Sequence, residues 1–232
     1  GFLRLALSPF LTAASLARSE QENADEPADL LEAITVSLAD LRSEDFAGRR
    51  VVVLANVSKL NARQLESLHQ FVRAGGSLLV FPGDQIDADW YRSQMCVATG
   101  LMPLTFESLR TKFVSVDDAD QDAEAEIDGA SIAAGRFDHP ALDLFNDPRH
   151  GNLPDASMRS WYRLARPGIA IGQQLMLSGE YADFSGKRIE AESPNVLARL
   201  DNDDPFLVES GFGKGRVMVC ASSCDNDWNN LP

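Results

Sequence analysis

Apolar and polar positions along the chain mark out alternating elements. Residues 2–16 place apolar side chains at a helix-compatible spacing, and the acidic stretch 20–29, with Pro27, predicts a surface loop. Residues 34–38 read as a short β-branched strand. The continuous apolar run 51–57 reads as a strand of the kind buried on both faces in a parallel sheet. Asn61, with Gln64 three positions on, forms a capping box for a helix whose apolar stripe is Leu65, Leu68, Phe71 and Val72. Gly75 stops that helix, and residues 77–81 form a second buried strand. Strand, helix, Gly-Gly turn and strand together predict two adjacent parallel central strands joined by a right-handed crossover.

Residues 84–99, carrying Trp90, Tyr91 and Met95, predict a loop and a helix. The run DDADQDAEAEID at 117–128 holds seven carboxylates and almost no large apolar group, which predicts a solvated insertion. A helix is expected at 157–164 and strands at 168–177 and 196–200. Residues 205–210 and 216–221, with GFGKG between them, form a hairpin.

Composition narrows the classes. The 232 residues are 44% hydrophobic and 24% charged, ordinary globular values that exclude wholesale disorder. Thirty-five acidic against 21 basic residues give a net charge of -14, which repels a phosphate backbone and argues against nucleic acid. No apolar run approaches the roughly 20 residues of a spanning helix, so this segment is expected to be soluble. The opening GFLRLALSPFLTAASLA resembles a signal-peptide core, but Arg4 and Pro9 interrupt it, and it reads as a folded helix. The limits at Gly1 and Pro232 read as those of a segment excised from a longer chain.

Residues 51–84, VVVLANVSKLNARQLESLHQFVRAGGSLLVFPGD, resemble the class I glutamine amidotransferase-like superfamily. They are most similar to its non-catalytic domains in bacterial membrane proteins related to BatA. His139-Pro140 with Phe145, and GFGKGRV followed by Asp225 to Trp228, agree in order. The resemblance implies an α/β fold: a three-layer sandwich with a mostly parallel, flavodoxin-like sheet, a C-terminal hairpin, and a single domain over 1–232 with its acidic insertion near 117–128. It also implies a sheet edge left unpaired in this segment.

Catalytic relatives carry a cysteine at a GxCxG elbow and a downstream HxE. Here the corresponding elbow reads Pro82, Gly83, Asp84, Gln85, without thiol or hydroxyl. His69, His139 and His150 are followed two positions later by Phe71, Ala141 and Asn152. The amidotransferase machinery is thus expected to be missing.

Other motifs favour structural roles. Cys220 and Cys224 lack further ligands nearby for a tetrahedral zinc site, so no metal is assigned. Asp225, Asp227 and Asn229 alternate like the start of a calcium loop but lack its glycine and closing glutamate, and read as a capped turn. GFGKG lacks the spacing of a phosphate loop. Trp161 and Tyr162 read as core anchors flanked by solvated arginines. Ligands of open α/β sheets collect beyond the carboxyl ends of the strands, which makes Asp84 and Gln85 ligand-binding candidates, although helix capping is the favoured role of Asp84. His139 is the third candidate.

The expectation is a non-enzymatic interaction or ligand-binding module of a larger membrane-anchored bacterial protein, with no cofactor and with a protein partner or small ligand. The alternative is a hydrolase or transferase with a relocated active site near Asp84 and His139.

Overall fold

The computed structural model describes residues 31–111, 129–167, 180–182, 188–190 and 193–231. The expected helix at 2–16, the loop at 20–29, the acidic run at 117–128 and the strand at 168–177 lie outside them. The chain divides into two compact units, Gly1–Leu41 and Arg42–Pro232. In the first, residues 32–37 are irregular, which corrects the strand expected at 34–38. Ile34 and Val36 have β propensity, but no described strand pairs with them. Instead the Ser37 hydroxyl donates to Asp40 at 2.6 Å and closes a turn.

The second unit is built on a five-stranded sheet. Its strands are β1 (Val51–Ala55), β2 (Ser77–Phe81), β9 (Asn195–Arg199), β10 (Pro205–Phe212) and β11 (Gly215–Cys220), in the order β1-β2-β11-β10-β9. β1 pairs with β2, and β2 with β11, in parallel; β11–β10 and β10–β9 are antiparallel. The sheet is therefore mixed, which corrects the mostly parallel sheet expected. The hairpin enters as one piece, so its second arm takes the place beside β2 and its first arm necessarily runs backwards. β1 was expected to be central, yet it ends the order among the described strands, and Val51 is 55% exposed.

Helix α1 (Ala62–Ala74) forms as its sequence dictates. Asn61 Oδ1 accepts from the Gln64 amide at 3.0 Å, Gln64 Oε1 accepts from the Asn61 amide at 3.0 Å, and Gly75 caps the other end. Leu65, Leu68 and Val72 are buried on its inner side, while Phe71 is half-buried. The ring of His69 meets Phe212 of β10 edge-on at 5.0 Å. By register, Phe212 shares a sheet face with Val208, Val217, Val219, Leu78, Val80 and Leu54, all buried. The opposite face carries Glu209, Met218 and Leu79 in one row.

α2 (Ala88–Trp90) runs into a π-helix, Tyr91–Ala98, so the helix expected within 84–99 is present with a wider winding. Tyr91, Met95 and Cys96 are buried four and five positions apart, the spacing a π turn brings to one side. A small sheet of β3 (Thr105–Thr111) and β6 (Ser160–Ala165) packs against it, with Phe106 5.3 Å from both Tyr91 and Tyr162. β4 (Ala130–Ser131) pairs with β5 (Ser157–Met158), and β7 (Glu180–Ala182) with β8 (Arg188–Glu190). β5 and β6 correct the helix expected at 157–164. Trp161 and Leu164 satisfy a helical spacing, but they are buried on strand β6, which pairs with β3 across a bulge between Phe106 and Ser108 of β3 and whose amide at Tyr162 donates to the Ala221 carbonyl at 2.8 Å.

Candidate functional site at the carboxyl edge

β1, β2 and β11 run the same way, so the segments 56–58, 82–85 and 221–225 emerge together at one edge. The first turn is made by Asn56, whose φ of 52° is left-handed. Asparagine is among the few residues that enter this region readily. Its amide donates to the Phe81 carbonyl at 3.0 Å. Its side chain crosses to the β2 turn, where Nδ2 donates to Asp84 Oδ1 at 2.6 Å and Oδ1 accepts from the Gln85 amide at 2.9 Å. Gly83 makes room for it: a Cβ there would stand 2.3 Å from the Asn56 carboxamide carbon.

Asp84 and Gln85 are thus brought together, both exposed, by a residue 28 positions before Asp84. Asp84 does not cap the next helix, as had been favoured. Asp87 does, its Oδ1 accepting from the Trp90 amide at 3.0 Å. His139 is placed elsewhere. Its Nδ1 accepts from the Ala141 amide at 3.2 Å, which leaves Nε2 to carry the proton toward Glu209 Oε2, 3.2 Å away. Glu209 is buried, and its other oxygen takes Arg216 Nη1 at 3.1 Å. No described hydrogen bond or ion pair joins His139 to Asp84 or Gln85.

Beyond β11 the hydroxyls of Ser222 and Ser223 are buried at the same edge. Ser222 donates to the Ser160 carbonyl at 2.8 Å and accepts from Asn229 Nδ2 at 3.0 Å; Ser223 donates to Asp225 Oδ1 at 2.7 Å. Asp225 also accepts from the Asp227 amide at 3.2 Å, the capped turn expected of this segment. Trp161 is the buried anchor expected, its Nε1 donating to Asp204 at 3.0 Å, while Arg110 and Arg163 stand 3.5 and 4.0 Å from the same carboxylate.

The thiols are held away from reactivity. Burial pushes Cys96 and Cys220 each up to about 12, and Cys224, half-buried beside Asp225, is also raised. Among the described residues no three His, Cys, Asp or Glu side chains gather as a metal site, and no helix is long and apolar enough to cross a membrane.

The fold has a counterpart among solved structures. In fold the chain is similar to cytoplasmic protein STM1381 from Salmonella typhimurium LT2. That likeness has a TM-score of 0.51 at 16% identity, covering 80% of this chain and 65% of that one. Cytoplasmic protein STM3548 from Salmonella typhimurium follows at TM-score 0.49 and 15% identity, covering 81% of this chain and 65% of that one. Exo-beta-1,4-mannosidase Op5Man5 from Opitutaceae bacterium strain TAV5 follows at 0.37 and 13%, with 75% and 20% covered. The chain thus spans 65% of the length of the first two structures. No protein-family model and no curated protein matches it.

Asn56, Ser222, Ser223 and Glu209 are the polar residues of these sites that sequence reasoning missed. Asn56 had a signal, an asparagine ending an apolar strand. The others are ordinary polar residues that form no pattern of their own, Ser222 donating to Ser160 far back in the chain and Ser223 to Asp225 close by.

Proposed function

We propose that this domain is a non-catalytic interaction or ligand-binding module, related to the amidotransferase-like domains of BatA-related membrane proteins and, like them, part of a membrane-anchored parent. The observation that carries the reading is the Asn56 contact with Asp84 and Gln85. Where a catalytic relative would present a nucleophile beyond β2, this chain has Gly83 and a carboxamide closing the turn. Neither Cys96 nor Cys220 compensates, because a thiol held near 12 supplies almost no thiolate at neutral pH. Asp84 and Gln85, exposed at the edge where α/β ligands collect, are the residues assigned to ligand or partner contact.

The amidotransferase-like three-layer arrangement belongs to the same proposal. The alternative, a hydrolase or transferase using Asp84 with His139, requires the two within hydrogen-bond reach. Their partners are instead Asn56 and Glu209.

Glutamine hydrolysis tests the reading. No ammonia above a buffer blank is expected. Release that Cys96→Ala or Cys220→Ala abolishes refutes it.

A further inference from the structure

In the parallel pairing of β1 with β2 only alternate residues of β1 bond across. The Ser77 amide donates to the Arg50 carbonyl at 2.9 Å and the Asn56 amide to the Phe81 carbonyl at 3.0 Å, and the register between them runs unbroken from Val51↔Ser77 to Ala55↔Phe81. Residues 50, 52, 54 and 56 therefore turn their main-chain groups toward β2. The three amides and three carbonyls of Val51, Val53 and Ala55 turn the other way, and no described residue bonds to them. Such a row is a template for another strand.

Free edges are ordinarily blunted by charged side chains, proline or a bulge. The outer strand β3 is guarded in this way, with Glu107 and Arg110 exposed on it and a bulge in its pairing with β6. β1 has no such guard: it reads Val-Val-Val-Leu-Ala, its register is unshifted, and both Val51 and Ala55 are exposed. The two ends of this edge carry opposite charge. Arg50 is exposed at the amino end and makes no ion pair among the described residues, Glu44 and Asp45 of the neighbouring turn included. Asp84 is exposed at the carboxyl end, where its described partner is the uncharged Asn56 carboxamide.

We propose that the edge of β1 pairs antiparallel with β1 of a second copy of this chain, about a two-fold axis at Val53. In that register Val51 faces Ala55 of the second copy and Val53 faces its counterpart, so the outward amides and carbonyls of both copies are all satisfied. Arg50 then stands opposite Asn56 of the second copy, beside the Asp84 that Asn56 holds, and the symmetry repeats the contact. Moving the axis to Val52 leaves Ala55 unpaired, and a parallel pairing sets Arg50 beside Arg50. The match of charge thus selects an antiparallel copy. Each copy carries a net charge of -14 and the contact is one strand wide, so the dimer is weak, with a dissociation constant of roughly 10 μM to 1 mM. The pairing uses main-chain groups of β1 and stands whether or not the carboxyl edge is catalytic.

The test is sedimentation velocity of the 232-residue chain from about 5 μM to 1 mM, in about 0.15 M salt to screen the net charge. A monomer–dimer equilibrium is expected. Val53→Pro removes an outward amide and no bond to β2, and Val51→Lys puts a charge on the exposed edge; each should weaken association about tenfold or more, and Arg50→Glu should weaken it too. Leu109→Lys, on the exposed strand β3, should leave it unchanged. Hydrogen exchange reads the same edge residue by residue. In dilute protein the Val52 and Leu54 amides should be protected and those of Val51, Val53 and Ala55 should not, the latter gaining protection at high concentration. The proposal is overturned by a monomer at every concentration, by association that survives both Val53→Pro and Val51→Lys, by association that Leu109→Lys abolishes, or by Arg50→Glu associating as tightly as the wild type. Protection of the Val51, Val53 and Ala55 amides in the dilute monomer would also overturn it, since the edge would then be covered within one chain.

Discussion

At the carboxyl ends of β1 and β2 one side chain closes the turn: Asn56 reaches Asp84 and Gln85 over Gly83. At the other end the fit is backbone against backbone. The hairpin turn lies on the end of α1, where the Lys214 amide donates to the Arg73 carbonyl at 3.1 Å, and a Cβ on Gly215 would stand 2.1 Å from the Val72 carbonyl oxygen. The difference decides what each end has to spare. At this end Arg50 is exposed and makes no ion pair among the described residues, whereas at the carboxyl edge the polar side chains are largely occupied with one another.

Both ends rest on the same helix-covered face, so the largest effect should come from opening it. Leu68→Ala, at a position with no exposure, should cost about 2–5 kcal/mol in chemical denaturation. A change near zero would mean that α1 is not the support both ends share.

Glycine substitutions sharpen the contrast. Gly215→Ala pushes a methyl into the Val72 and Gly76 carbonyls and should cost about 1–3 kcal/mol or more. Gly83→Ala meets the Asn56 side chain, whose carboxamide can swing away but whose Cβ, at 2.8 Å, moves only with the backbone, and should cost about 1–2 kcal/mol, less than Gly215→Ala. Equal costs in denaturation would erase the proposed distinction.

Asn56 itself separates backbone strain from hydrogen bonding. Asn56→Gly keeps access to φ 52° and loses only the side-chain bonds, whereas Asn56→Ala also strains the left-handed turn. The alanine variant should be less stable than the glycine variant by about 1 kcal/mol. The reverse order would show that the turn relaxes without asparagine.

How much of this was legible in the sequence varies with the range of the interactions. The capping box at Asn61 and Gln64, the hairpin and strand β9 are local patterns, and they form where expected. Placing β11 beside β2 depends on a pairing between Ser77 and Arg216 that no local pattern encodes, so the sheet's mixed sense was out of reach. At 157–164 the aromatic and apolar spacing fits a helix and a strand with buried residues on both faces alike. The partner that decides, β3, exposes most of its length and carries little hydrophobic signal. Asp84 and Gln85 were legible as edge residues, but the Asn56 side chain that holds them was not.

The buried thiols add an effect that appears only as the pH is raised. Cys96 and Cys220 have folded-state values raised from 9.0 to about 12, so the unfolded chain loses these protons first. Their contribution is complete below about pH 9 and is lost as pH rises toward 12. Denaturation at about pH 8 and about pH 10.5 should show a fall in stability that Cys96→Ala and Cys220→Ala each make shallower. An unchanged slope in both would contradict thiol burial.

The central claim is that a carboxamide, rather than a nucleophile, closes the turn beyond β2. Hydrogen exchange at the Gln85 amide reads this most directly, because that exposed residue owes its protection to Asn56 Oδ1 at 2.9 Å. The account predicts measurable protection of Gln85 in the wild-type chain, lost in Asn56→Gly while the β2 amides stay protected. A Gln85 amide that exchanges at the unprotected rate in the wild type would contradict it.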